Sequence, residues 1–178
     1  ASVAMEVPKI PGVKPPAWWR ALLLVAFNTT LRIGTLFSMR MEDIDWQQNR
    51  LVLPAERMKS QRPQIVYLNR AAITVLRSIR TNRELVFPWP QSNRRDFYTY
   101  LHRLETAAGI PKKDQFAMHV IRKTTASLIY GISPAAAQFA LGHTTNDVTR
   151  KHYVDGGDLV ARALDQLPQP SDVMPPIP

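Results

Sequence analysis

Apolar residues recur at helical spacing along most of the chain, and β-branched residues gather in one central region. The helical pattern covers 18–29, 34–40, 71–80, 93–107, 119–129 and 134–141. Two short β-branched runs, 51–53 and 64–68, flank a polar turn and indicate antiparallel strands. The pattern therefore predicts a mainly α protein with a small antiparallel β-sheet, which is an α+β fold.

Caps and apolar stripes define the helices in the second half of the chain. Ser133 precedes a proline and is expected to cap the helix over 134–141. Asp158 is expected to cap a last helix, whose apolar stripe at 159–164 either docks on a neighbouring protomer or packs within its own chain. The buried stripe predicted for the helix at 119–129 consists of Ile121, Thr125, Leu128 and Ile129.

Prolines mark the two ends of the chain. Most of the 15 prolines lie before residue 17 or after residue 167. Residues 1–16 are therefore predicted to form a proline-rich linker, and residues 168–178 a proline-rich tail. The remaining residues, 17–167, are enough for one domain with a substantial core.

The charge of the chain points to a polyanionic partner. Twenty-three Lys and Arg face 14 Asp and Glu, for a net charge of +9, and the cations are spread along the chain. Such a balance favours nucleic acid as the partner over a membrane surface. No apolar run approaches the roughly 18–20 residues of a membrane helix. The lack of cysteine excludes disulfides, thiol catalysis and cysteine zinc sites.

The residues with the most chemical information form an ordered series late in the chain. His119 and Arg122 are spaced to share a helix face, and His143 and Tyr153 follow. Each has an ordinary structural interpretation when taken singly. The histidine and arginine are typical of a solvated helix start, Gly142 before His143 is typical of a helix C-cap, and tyrosines usually belong to cores or interfaces.

Two residues upstream complete a set that is more informative than its members are singly. Arg32 follows a hydrophobic helix, and Lys59 lies in the polar turn between the predicted strands. The ordered set resembles the catalytic domain of the tyrosine recombinases, the phage integrase family, over about residues 17–164. The resemblance implies a tyrosine recombinase catalytic-domain-like fold and a DNA strand transferase. Its implied catalytic residues are Arg32, Lys59, His119, Arg122, His143 and Tyr153.

The resemblance implies a chemical role for each of these side chains. Arg32 and Arg122 clamp the oxygens of the scissile phosphate, and His143 donates a further hydrogen bond. Tyr153 attacks the phosphorus, so that double-stranded DNA is cleaved and rejoined through a covalent 3′-phosphotyrosyl intermediate without metal or ATP.

Proton transfers and DNA binding account for the remaining expected residues. His119 aids removal of the phenol proton, because a phenol is protonated at neutral pH, and Lys59 protonates the departing 5′ oxygen. The surface cations expected to bind backbone phosphates are Arg94, Arg95, Lys112, Lys113 and Lys123.

The chain departs from the family pattern at several positions. Thr35 stands where an acidic residue is usual, so the group that orients the first arginine is expected to differ. Thr30 replaces a common glycine, which is expected only to alter a turn. Tyr153 follows His143 by one residue more than is commonest, and the neighbouring His152 is interpreted as structural or DNA-facing.

Other chemistries fit the sequence less well. Glu42, Asp43 and Asp45 resemble a magnesium site but are interpreted as a solvated turn. With only seven glycines and no glycine-rich phosphate loop, no metal or nucleotide cofactor is expected. Two rivals stay open: a type IB topoisomerase-like enzyme that only relaxes supercoils, and a non-catalytic DNA-binding regulator with the same fold.

The resemblance also implies partners and a location. Relatives usually carry a further helical DNA-binding domain ahead of the catalytic one, so this chain is expected to be a catalytic fragment with weak affinity for DNA. The full-length protein is expected to form a homotetramer on paired double-stranded DNA sites; the oligomeric state of the fragment, monomer included, stays open. No membrane partner is expected, and a cytoplasmic, nucleoid-associated or mobile-element-encoded bacterial protein is implied.

Overall fold

The computed structural model describes residues 8–57, 61, 63–89, 94–141 and 156–170. The helices are α1 (Pro15–Thr29), α2 (Ile33–Ser38), α3 (Arg70–Ser78), α4 (Arg94–Ala107), α5 (Met118–Ile132), α6 (Pro134–Leu141) and α7 (Gly156–Asp165), and the strands are β1 (Ile44–Asp45), β2 (Arg50–Leu53) and β3 (Gln64–Tyr67). The predicted α+β class, mainly helical with a small antiparallel sheet, is confirmed. Within these ranges, no helix has both the length and the apolar character that crossing a bilayer requires.

An aromatic cluster around α1 forms the centre of the main core. Trp18 and Trp19 are almost fully buried, and Trp19 stacks on Phe97 of α4 with ring centroids 5.3 Å apart. Trp18 meets Phe87 edge-on at 6.0 Å. Large aromatic rings bury much apolar area and prefer these offset and edge-on geometries. The cluster therefore joins α1, α4 and the segment before α4 into one body.

The sheet has the strand order β1-β2-β3, with both pairs antiparallel. Leu51 and Leu53 of β2 face the core, whereas Val52 lies on the outer face opposite Ile65 of β3. This alternation follows from the pleat of a strand, which sends successive side chains to opposite faces. The sheet thus covers one side of the core, and the turn after β2 lies at one end of its strands.

Helix α5 differs in one position from its predicted buried stripe. Thr125 and Ile129 are fully buried and Ile121 is half-buried, as predicted. The prediction for Leu128 is wrong, because that side chain is 38% exposed. Each helical residue turns the side chain by about 100°, so Leu128 points away from the face that carries Ile129.

The helix starts give one confirmed and one corrected cap. The Ser133 hydroxyl oxygen accepts a hydrogen bond from the backbone N–H of Ala136 at 3.3 Å, as expected of a cap of α6. The cap predicted at Asp158 is wrong, because α7 already begins at Gly156. A helix whose apolar face packs against a core does not require a side-chain cap at a particular residue.

The last helix packs within its own chain, which is the second of the two predicted arrangements. Val160, Ala163 and Leu164 of α7 are buried in a second cluster with Ile129 of α5 and Ala136 of α6. The domain boundaries predicted at residues 16 and 168 stay predictions. The segment predicted as the linker nevertheless contributes Val13, which is 8% exposed, to the main core.

A buried amide network anchors this last helix. The Nδ2 group of Asn69 donates to Asn28 Oδ1 at 2.7 Å and to the Leu164 carbonyl at 2.9 Å. Its Oδ1 accepts from the backbone N–H of Ala72 at 3.0 Å and caps α3. Gln169 exchanges two hydrogen bonds with the amide of Asn28. One asparagine therefore joins α1, α3 and α7.

We expect Asn69→Ala to lower the free energy of unfolding by about 2–3 kcal/mol, because it removes a helix cap and leaves buried polar groups unpaired. Urea unfolding followed by tryptophan fluorescence measures this change. The matched control is Asn82→Ala at an exposed position, which should stay within about 0.5 kcal/mol of the unmodified chain. Equal effects of the two substitutions would contradict the anchoring role.

Candidate active site

A pocket of about 1070 Å³ opens where α2, α5 and the end of α6 meet. Arg32, His119 and Arg122 all line it, although they are up to 90 residues apart in the sequence. The other lining residues are Leu31, Ile33, Gly34, Thr35, Ser38, Arg57, Tyr98, Met118, Lys123, Ala126, Ser127 and Leu141. Three residues that the sequence predicted to act together therefore share one cavity.

The remaining three predicted catalytic residues, Lys59, His143 and Tyr153, lie outside the described residues. The pocket lining includes Arg57, which precedes Lys59 by two residues, and Leu141, which precedes His143 by two. The catalytic roles predicted for all six side chains stay predictions.

Arg122 holds the pocket together through its guanidinium group. One nitrogen donates to the carbonyl oxygen of Thr30, and Nη2 donates to the carbonyl oxygen of Leu141 at 3.1 Å. Burial lowers the pKa of Arg122, and the positive charge of Arg32 lowers it further. A guanidinium stays charged despite such a shift. The two cations are thus close enough to repel each other, and an anion between them would relieve that repulsion.

Thr30 does more than alter the turn, which was the expectation from the sequence. It adopts the left-handed conformation at φ 54° that a glycine would take more easily, and it is fully buried. Its hydroxyl donates to the carbonyl oxygen of Ala140 at 2.6 Å. The last carbonyls of a helix lack partners within that helix. Thr30 and Arg122 therefore cap the end of α6 together.

Arg32 is the exposed residue that precedes α2, and its side chain faces the pocket. It forms no hydrogen bond or ion pair through its side chain with any residue that the structure describes. Thr35, which stands where an acidic residue was expected, lines the same pocket. Within the described chain, the guanidinium of Arg32 is thus not held by a carboxylate.

His119 lies in the first turn of α5 and is exposed to the pocket. It precedes Arg122 by three residues, a spacing that places two side chains on one helix face. The first turn of a helix presents unpaired N–H groups and a partial positive charge. The face of α5 that carries both residues therefore favours an anionic ligand.

Arg57 was not predicted from the sequence, and Asp43 was misinterpreted. Asp43 is not part of a solvated turn, because it is 5% exposed and forms a two-pronged ion pair with Arg57 at 2.7 and 2.5 Å. Glu42 is exposed as predicted, and Asp45 pairs with Arg50 at 3.2 Å. Closeness to Lys59 in the sequence was the signal that could have drawn attention to Arg57.

Positive charge dominates the pocket wall. Arg32, Arg57, Arg122 and Lys123 line it, and the described lining residues include no carboxylate. Hydrogen bonds from the backbone N–H of Gln48, then from the side chain of Arg50 and the backbone N–H of Gln47, lower the pKa of Asp45, which lies outside the pocket lining. In the described ranges, no cluster of His, Cys, Asp and Glu is arranged to hold a metal ion. The pocket is suited to an anion.

The residues predicted to bind DNA phosphates differ in where they lie. Lys123 is exposed and lines the pocket, whereas Arg95, Lys112 and Lys113 are exposed away from its lining. Arg94 begins α4, and its side chain lies outside the described part of the chain. Their contact with DNA stays a prediction.

Comparison with known proteins places the chain in a family. The phage integrase family model matches residues 4–158, so the chain belongs to that family of tyrosine recombinases. The integrase from mycobacterium phage Brujita has a similar fold, with a TM-score of 0.68 and 14% identity, over 92% of this chain and 60% of that one. The Tn1549 transposon integrase in complex with circular intermediate DNA has a TM-score of 0.55 and 16% identity, over 93% and 66%. No curated protein sequence matches this chain.

This chain matches only part of each integrase, at low sequence identity. The chain spans about 60% of the length of the Brujita integrase. At these identities, the two integrases support the predicted recombinase catalytic-domain fold, and the fold alone.

We expect Thr30→Val to lower the free energy of unfolding by about 1–3 kcal/mol, because it keeps the side-chain shape but leaves the buried Ala140 carbonyl unpaired. The matched control is Thr74→Val, since the Thr74 hydroxyl donates to a backbone carbonyl at 2.8 Å at an exposed position. Chemical unfolding of both variants measures the difference. An effect of Thr30→Val no larger than that of the control would show that the hydroxyl does not cap α6.

Proposed function

We propose that this domain cleaves and rejoins double-stranded DNA through a covalent 3′-phosphotyrosyl intermediate. The observation that carries the proposal is the meeting of Arg32, His119 and Arg122 in one cation-rich pocket. Membership of the phage integrase family supplies the reaction class. The proposal accounts for why Arg32 meets His119 and Arg122 at one cavity although it is far from both in the sequence.

The two arginines bind the scissile phosphate and stabilise the charge that develops on it. Attack on a phosphodiester gives a transition state with more negative charge on the non-bridging oxygens than the substrate has. Arg122 is fixed in advance by the Thr30 and Leu141 carbonyls, and these two bonds leave further N–H donors for a ligand. Arg32 approaches the same phosphate from the loop before α2, and His143 donates a third hydrogen bond.

Tyr153 carries out the nucleophilic step. Its phenolic oxygen forms a bond to phosphorus while the bond from phosphorus to the 5′ oxygen breaks. His119 takes up the phenol proton, and Lys59 gives a proton to the leaving 5′ oxygen. Because the phosphotyrosyl ester retains the energy of the broken linkage, the reverse attack by a 5′ hydroxyl rejoins the strand without ATP.

The partner of this reaction is duplex DNA in the bacterial cytoplasm. The full-length protein acts as a homotetramer that holds paired DNA sites, and the cations Arg94, Arg95, Lys112, Lys113 and Lys123 bind backbone phosphates. The net charge of +9 supports a polyanionic partner.

The proposal predicts that the chain, incubated with supercoiled plasmid DNA and then denatured, yields a covalent adduct at Tyr153. The DNA end at the adduct should carry a blocked 3′ phosphate and a free 5′ hydroxyl. Mass spectrometry of the DNA-linked peptide identifies the residue. Tyr153→Phe should abolish the adduct, because phenylalanine has no nucleophilic oxygen.

Two other tyrosines serve as matched controls for this experiment. Tyr98 lines the pocket and Tyr130 is 61% exposed outside its lining. The adduct should persist in Tyr98→Phe and in Tyr130→Phe. An adduct that survives in Tyr153→Phe and disappears in Tyr98→Phe would move the nucleophile to Tyr98 and refute the assignment.

DNA binding should weaken as salt rises, because each neutralised phosphate releases counterions. In a plot of log binding constant against log salt concentration, each phosphate contact contributes about −0.9 to the slope. Lys112→Gln combined with Lys113→Gln should flatten the slope by up to about 2. The control pair, Arg77→Gln with Arg80→Gln, removes two exposed charges that stack on Trp46 and should leave the slope unchanged. Fluorescence anisotropy with a labelled duplex measures the slopes, and a flat dependence for the unmodified chain would count against a DNA-binding surface.

A further inference from the structure

Arg57 is a pocket-lining arginine that has no role in the mechanism above. It ends the short turn Ala55–Arg57 after β2, and its side chain is 21% exposed. It lines the same cavity as Arg32 and Arg122. The pocket therefore contains a third guanidinium group beyond the two that the scissile phosphate requires.

A buried carboxylate fixes the orientation of this guanidinium. Nη1 donates to Asp43 Oδ2 at 2.7 Å, and Nη2 donates to Asp43 Oδ1 at 2.5 Å. Nη1 also donates to the Ser38 carbonyl at 3.3 Å. Asp43 is itself held, because its Oδ2 accepts from the backbone N–H of Arg40 at 2.8 Å. Ligand binding at Arg57 thus requires little further loss of side-chain freedom.

A second edge of the guanidinium, which adjoins the edge that binds Asp43, has no partner among the described residues. A guanidinium has five N–H donors in a fixed plane. Asp43 and Ser38 occupy both N–H groups of Nη1 and one of Nη2, which leaves the parallel N–H groups of Nε and Nη2. These two make no hydrogen bond with any residue that the structure describes. Parallel donors of this kind match two oxygens of one phosphate.

Two explanations of the Asp43–Arg57 pair are distinguishable. A buried carboxylate needs a partner, so Arg57 could serve only to neutralise Asp43. That role does not require Arg57 to line the pocket, as Lys123 and two other arginines do. The placement of Arg57 on that wall, with a free pair of donors, favours a ligand-binding role.

We propose that Arg57 is a third phosphate-binding arginine, held by Asp43 so that its free edge binds a DNA backbone phosphate in this pocket. The inference rests on the proposed function, since it names a further contact of the same site with DNA. The ion pair leaves Arg57 and Asp43 with no net charge together. The contribution of Arg57 to phosphate binding is therefore smaller than that of Arg122. It resembles the contribution of one oriented, charge-assisted hydrogen-bonding group.

The first test follows the Nε–Hε signals of isotope-labelled arginine in the whole chain by nuclear magnetic resonance. The signals of Arg32, Arg57 and Arg122 are assigned from single Arg→Lys variants, and the probe is a short DNA duplex of mixed sequence. We expect all three signals to shift together. Shifts of Arg32 and Arg122 with an unchanged Arg57 signal would overturn this inference alone. If none of the three moves, the proposed function fails and this inference fails with it.

The second test separates phosphate binding from charge neutralisation. Arg57→Gln combined with Asp43→Asn removes both charges and leaves no buried carboxylate unpaired. We expect this double variant to form the Tyr153–DNA adduct about tenfold more slowly than the unmodified chain. A rate equal to that of the unmodified chain would show that Arg57 only neutralises Asp43 and would overturn the proposal.

The control for this test is the other arginine–aspartate pair of the sheet. Arg50→Gln combined with Asp45→Asn breaks an ion pair of 3.2 Å that does not line the pocket. The adduct rate should be unchanged in this variant. Asp43→Asn alone retains the charge of Arg57 and an amide oxygen that can accept one of its hydrogen bonds. This variant should form the adduct faster than the double variant, and an equal rate would overturn the proposal.

Discussion

The capping of α6 by groups from distant parts of the chain is the constraint on which the pocket depends. Arg122 of α5 binds the carbonyls of Thr30 and Leu141, and the Thr30 hydroxyl binds the carbonyl of Ala140. These contacts join the end of α1, helix α5 and the end of α6. They also determine where Arg32, two residues after Thr30, enters the pocket. Arg122, half-buried and fixed by two of its donors, is thus both part of the architecture and part of the site.

This arrangement places the positive charges of Arg32 and Arg122 close together. Their repulsion lowers the stability of the fold when no anion is bound between them. Burial and the charge of Arg32 both lower the pKa of Arg122, although the guanidinium stays protonated. Among the described residues that line the pocket, only Arg57 has its charge neutralised by a carboxylate, that of Asp43. Arg32 and Arg122 still repel each other. The pocket therefore favours a phosphate, whose negative charge relieves that repulsion. A cation-rich pocket fixed before binding needs little reorganisation when negative charge develops.

Local patterns in the sequence were enough for the class of fold, and the family resemblance named three residues that share the candidate site. The three-residue spacing of His119 and Arg122 determines that they share a helix face. Periodicity located the helices, β2 and β3 to within a few residues, whereas the two-residue strand β1 was not predicted. The pairing of Asp43 with Arg57 and the capping by Thr30 could not be predicted, because they join residues that no local pattern relates. Thr30 even adopts a backbone conformation that its residue type disfavours.

The most direct test of the account is a crystal structure of this chain bound to a nicked DNA duplex. We predict that N–H groups of Arg32 and Arg122 lie within hydrogen-bond distance of the non-bridging oxygens of one phosphate. Arg122 should keep its bonds to the Thr30 and Leu141 carbonyls in that complex. Guanidinium groups that bind different phosphates, or an Arg122 that contacts protein carbonyls alone, would contradict the claim that the pocket is built around a single phosphodiester.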